Sequence, residues 1–146
     1  QGPAIEIAPQ VSPDGRYIAY VSNESGQYEV YVTSFPEGAG QWQVSINEGM
    51  VPLWNHRGDA LYYVERNTLM KVSVSTTSGF SHGTPQRLLT EESTGTQLLA
   101  DSFPPKLFNY RYAVTPDDNR IMLIRNDQRS TVYLVQNWVK EFEKSE

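Results

Sequence analysis

Gly79-Phe80-Ser81-His82-Gly83 satisfies the Gly-x-Ser-x-Gly pattern, in which a serine held on a sharp strand-to-helix turn attacks an acyl carbon. That chemistry needs a buried strand before the serine and a helix after it, whose first amide completes an oxyanion hole. Here Thr76-Thr77-Ser78 precedes and Thr84-Pro85 follows, so the segment is expected to be a loop between two strands. His56 and His82 are the only histidines, and both fall in polar turn or loop sequence where imidazoles stay at the surface. Neither a calcium-loop spacing nor a paired zinc-ligand spacing occurs, which leaves Asp14, Asp59 and Asp117 as turn residues. The chain has no cysteine and therefore no disulfide or thiolate site. These residues predict no catalytic set, no metal and no cofactor, and hence a protein that is not an enzyme.

The elements that hold those residues repeat along the chain. Pro9 to Val21 aligns with Pro52 to Val64, and a degraded third copy runs from Tyr112 to Ile124, with Asp118 where the first two copies have Gly15 and Gly58. Each copy reads as an apolar lead-in, a polar turn and a run of β-branched and aromatic residues, which is strand, tight turn, strand. In the first copy Pro13 presets φ, Asp14 can bond nearby backbone and Gly15 can take φ > 0. Third strands are expected at Tyr28 to Val32, Leu69 to Val74 and Thr131 to Val135, and fourth strands at Gln41 to Ser45 and Gln86 to Thr90. Gly15 and Gly58 lie 43 residues apart, inside the ~40–45 residue period of four-stranded propeller blades.

The predicted fold is all-β: two complete four-stranded antiparallel blades and most of a third, with a short C-terminal helix. Blade units are expected at about 9–46, 50–90 and 108–137, an insertion at 91–107 and a tail at 138–146. Tyr17, Tyr20, Tyr28, Tyr31, Tyr62 and Tyr63 fall on strands and are expected to fill the wedges between blades. Composition agrees with one folded domain: 146 residues carry 17 acidic and 12 basic side chains, a formal charge of −5. The basic residues are scattered rather than clustered, which argues against nucleic acid as a partner. No stretch approaches the ~18 consecutive apolar residues of a membrane span, so no direct membrane contact is expected.

Ser12-Pro13-Asp14-Gly15-Arg16-Tyr17-Ile18-Ala19-Tyr20-Val21-Ser22, followed by Tyr28-Glu29-Val30-Tyr31-Val32, resembles the WD40-like repeat of TolB-type (PD40) β-propellers. Phe35 to Ser45 and the ending Val135-Gln136-Asn137-Trp138 resemble the carboxy-terminal propeller of some bacterial membrane-anchored serine/threonine kinases and regulators. The resemblance implies a non-catalytic sensor or interaction module of a larger signalling protein, binding a protein, peptide or small ligand. In a kinase parent it would stand on the extracytoplasmic side of a bacterial envelope. The alternative is the gating propeller of a prolyl-oligopeptidase-like serine hydrolase, although such a hydrolase would be expected to continue beyond polar Glu143-Lys144-Ser145-Glu146.

Rings of this type usually carry six or more blades, so the chain is expected to be half of one. Ala4 to Ala8 reads as a strand available to close such a ring, and the uncovered blade faces predict a dimer of half-propellers. The recognition surface would be the axial mouth, for which Asp14, Trp54 and Arg57 are the candidate ligand-binding residues, with packing between blades the other expectation for Trp54. Loops longer than ~12–15 residues are often functional, so the insertion is expected to cover the blade edge, to act as a tether, or to serve as a partner-binding loop, for which Leu98, Leu99 and Phe103 are the candidate residues.

Overall fold

In the computed structural model, residues 4–99, 111–125 and 131–136 are described. The first unit is an antiparallel sheet of β1 (Glu6–Val11), β2 (Tyr17–Ser22), β3 (Glu29–Ser34) and β4 (Gln41–Gln43), paired in chain order. The second is formed by β5 (Gly49–Trp54), β6 (Ala60–Glu65) and β7 (Thr68–Ser75), whose outer edge takes two short strands. β9 (Gln86–Thr90) is the outer strand expected from sequence and pairs with the beginning of β7, while β8 (Ser81–His82) is an additional two-residue strand paired with the end of β7. The third unit is β10 (Tyr112–Val114), β11 (Arg120–Arg125) and β12 (Thr131–Gln136), again antiparallel in chain order.

Both innermost strands of the first two units bend at the same place. Ala8-Pro9 and Val51-Pro52 each interrupt the ladder with a bulge, and Ala8 and Val51 each adopt φ 55. Proline has no N–H to give the neighbouring strand, so a bulge at that point costs the ladder little. The third unit has Tyr112 at the corresponding position, and its register runs without a shift. This corrects the expectation for Ala4 to Ala8. Glu6 and Ile7 pair with Ser22 and Val21 in the sheet of their own unit, because the bulge lets β1 continue through the proline. That strand is not free to close a ring elsewhere.

Strand alternation decides what each unit buries. Tyr17, Ala19 and Val21 share one face of β2, and the Tyr17 ring lies 5.6 Å from Phe80 of the second unit, so that face meets the second unit. Trp54 and Leu61 are register partners and face back: the Trp54 indole N–H donates to the Gln10 carbonyl at 3.0 Å. The opposite face of β6, carrying Ala60, Tyr62 and Val64, is buried toward the third unit, where the Tyr112 hydroxyl donates to the Val51 carbonyl at 2.6 Å.

Glu29 is fully buried where the chain passes from the first unit to the second. Its carboxylate accepts hydrogen bonds from the Ser45 hydroxyl, the Gln27 amide and the backbone N–H groups of Glu48 and Gly49, the last two at 3.1 and 3.2 Å. The approach requires glycine at 49, since a Cβ there would stand 2.1 Å from Ser45 Oγ.

The insertion begins with a single helical turn, α1 (Glu91–Thr94), closed by a reciprocal Thr90–Ser93 capping box. Leu98 is fully buried and Leu99 packs against the core, so this part of the insertion covers the sheet rather than presenting apolar side chains to a partner. Phe103 and the tail at 138–146 lie outside the described residues.

Candidate functional site

Three turns of one design join the first two strands of the three units. In each, the first residue donates its N–H to the carbonyl five residues on: Ser12 to Tyr17, Asn55 to Ala60, Thr115 to Arg120. The side-chain oxygen of the same residue accepts the return N–H at 3.0, 3.0 and 3.2 Å. A left-handed residue closes each loop, at φ 72 for Gly15, 74 for Gly58 and 56 for Asp118. Asp is one of the few side chains that tolerates this region, which is how the third copy keeps the geometry without glycine.

Between the first two turns the charges change places. Asp14 and Arg16 pair at 2.9 Å in the first turn, whereas Arg57 and Asp59 at the same two positions pair at 3.0 Å in the second. Each pair reaches beyond its own turn. Arg16 donates to the Thr76 carbonyl at 2.7 Å, and Thr76 Oγ1 donates to Asp14 Oδ2 at 2.9 Å. Arg57 lies 2.9 Å from Asp118 Oδ2 of the third turn, to which the Asn55 amide also donates at 2.6 Å. Asp118 Oδ1 and the Tyr62 hydroxyl are buried with no hydrogen-bond partner among the described residues.

Partial burial would raise the Asp14 carboxyl pKa, but hydrogen bonds from Ser12, Arg16 and Thr76 outweigh it and hold the group well below the usual carboxylate range. Asp59 is lowered by the Asn55 amide and then by Arg57, against some burial. Burial raises the Tyr62 and Tyr63 phenols far above their usual value, with Asp118 adding to the first and Glu65 to the second. A carboxyl that releases its proton more readily when folded stabilises the fold above its ordinary value near 3.8, and this is lost as pH falls through the lower folded value. The stability difference between wild type and Asp14→Asn should therefore be constant from pH 7 down to about 4 and shrink below it. Urea denaturation across that range measures it, and a difference independent of pH would contradict the assignment.

Of the residues expected at a binding rim, Asp14 and Arg57 stand on this turn face, where a Cβ at Gly58 would touch Pro13 at 3.4 Å. Trp54 is buried between the first two units beside Phe80 and offers little surface to a ligand. Arg16, Asn55, Asp59, Thr76 and Asp118 complete the network; the sequence marks Asp59 and Asp118 as turn residues and none of the five as a binding residue. The exchange of sign at matched positions of the repeat was the available signal. Ser81 lies in β8, an exposed two-residue strand, and His82 Nδ1 sits 2.9 Å from the Gly83 carbonyl. Gly83 turns back to hydrogen-bond Ser73, so a hairpin occupies the place where an elbow would start a helix. Among the described residues, no three His, Asp or Glu side chains group to hold a metal ion, and no helix is long and apolar enough to cross a membrane.

No family model matches the chain, and no curated protein does. Solved structures do. An oligogalacturonate lyase in complex with manganese superposes with a TM-score of 0.61 at 17% identity, over 92% of this chain and 35% of that one. A putative TolB from Agrobacterium tumefaciens gives 0.58 at 13% identity, over 94% and 47%. The fold is that of a partial β-propeller. An oligogalacturonate lyase from Vibrio parahaemolyticus matches equally well, with a TM-score of 0.58 at 17% identity over 91% and 36%. The chain thus spans between about a third and a half of these propeller proteins, and its three units are blades.

Proposed function

We propose that this chain is a non-catalytic interaction segment of a propeller, part of a larger signalling protein, that presents its turn face to a protein, peptide or small ligand and self-associates as half-rings. The observation that carries the reading is the charge pattern of that face. Acid and base alternate between neighbouring turns, each ion pair is fixed by hydrogen bonds, and Asp14 and Asp59 stay ionised. Fixed charges of both signs suit recognition of a polar partner, whereas proton transfer needs groups poised near neutral pH. Attachment to a membrane kinase and an extracytoplasmic position rest on the sequence resemblance alone.

A displayed random-peptide library panned on the chain tests the reading. Peptides should enrich, and the double variant Asp14→Ala, Arg57→Ala should lose them by about tenfold or more. The chain should also leave oligogalacturonate uncleaved with or without manganese and show no esterase activity above buffer. Enrichment indifferent to the two substitutions, or turnover of either substrate, would overturn it.

A further inference from the structure

The repeat supplies an internal control for what a blade face requires. Counted from the left-handed turn residue, Ala19 and Val21 correspond to Tyr62 and Val64 and to Met122 and Ile124. In the first two blades these positions are fully buried because the next blade packs on them. In the third, Met122 is 37% and Ile124 46% exposed. The opposite, leading face shows the same asymmetry at the other end. Leu61, Tyr63, Ile121 and Leu123 are sealed by the preceding blade, whereas the matching Ile18 and Tyr20 are only half-buried. Val11, the cross-strand partner of Ile18, is 52% exposed, although its counterpart Trp54 is buried. Among the described residues, one trailing and one leading face therefore lack the cover that the equivalent faces receive.

We infer that the trailing face of the third blade docks on the leading face of the first blade in a second copy, twice over, so that two chains close a six-bladed ring. The inference rests on the propeller reading and not on binding at the turn face. The contact continues an interface the chain already makes twice, a trailing face of aromatic, small and branched residues against a leading face of branched and aromatic ones. A second copy carries both halves. The junction is heterologous, joining different patches, and such contacts either close by rotation or grow without limit. Three blades close at two copies when each blade turns the chain by a sixth of a circle.

Sedimentation velocity over about a hundredfold concentration range should show a species of twice the chain mass and nothing larger. Ile124→Lys should weaken that association about tenfold or more, because the new charge would be buried unpaired. The absence of native cysteine allows the direction of docking to be read as well. Ile18→Cys mixed with Met122→Cys should give disulfide-linked dimers, and neither variant alone should. Unchanged far-ultraviolet circular dichroism and unfolding midpoints establish that each variant is folded. A monomer at every concentration, an open-ended series of masses, or cross-linking of Met122→Cys with itself would each overturn the inference. A monomer that still captures turn-face peptides would do so and would remove self-association from the proposed function, while leaving its ligand-binding part intact.

Discussion

Replacing Glu29 with glutamine should lower stability by about 2–4 kcal/mol, with the urea midpoint moving and the slope unchanged. The buried carboxylate accepts four donors, two on each oxygen. Glutamine keeps one oxygen and turns an amide donor toward the other pair. Whichever way it points, the part-buried backbone N–H of Glu48 or the buried one of Gly49 then faces another donor. An unsatisfied buried donor costs about 1–3 kcal/mol, and the lost hydrogen bonds to a charged acceptor add to that. Ser45 cannot relieve the conflict by rotating freely, because its hydroxyl oxygen already accepts the Val30 N–H at 2.8 Å. Gln27→Ala, which removes only the donor at the solvent edge, should cost less than about 1 kcal/mol. Equal effects of the two substitutions would show that the carboxylate is not the anchor of the connection between blades.

Glu29 also shows where sequence reasoning reaches its limit. In Tyr28-Glu29-Val30-Tyr31-Val32 a glutamate looks like the solvent side of a half-buried strand. Its burial depends on Ser45 and Gly49, which return to it only once the connector has folded, and no local pattern encodes that meeting. The turns were legible for the opposite reason. Each is a self-contained loop, with a side-chain oxygen at its first residue and a left-handed residue three positions on, so spacing alone specifies it. Asp118 departs from glycine and still gives the same loop, because the short acidic side chain tolerates φ 56. What could not be foreseen is that this side chain crosses to Asn55 and Arg57 of the blade before it. Leu98 illustrates the same limit. An apolar residue in a long insertion is equally consistent with a cover and a lure for partners, and only the fold shows that it is buried.

The segment that matches a serine nucleophile yields the second large effect, and at a different residue. Phe80→Ala should destabilise the chain by about 3–5 kcal/mol, whereas Ser81→Ala should fall within about 0.5 kcal/mol of wild type. The β7–β8 loop folds over the first blade and inserts Phe80 among Tyr17, Trp42 and Trp54, with ring centroids 5.6, 5.2 and 6.3 Å away. Those three rings come from two blades, so Phe80 closes the wedge between them. Its removal loses the burial of a whole aromatic side chain and leaves a cavity walled by rings that sheet hydrogen bonding holds in place. The polar grip of Arg16 and Thr76 at the rim of the same loop cannot substitute, since it is exposed and worth little in water. The glycines that complete the motif serve this fold-over: Gly79 supplies φ 109 and Gly83 returns the chain to Ser73. Chemical denaturation of the two alanine variants separates the accounts. A stability loss confined to Phe80→Ala marks the loop as a hydrophobic plug, and a loss of hydrolytic activity with Ser81→Ala would restore the nucleophile.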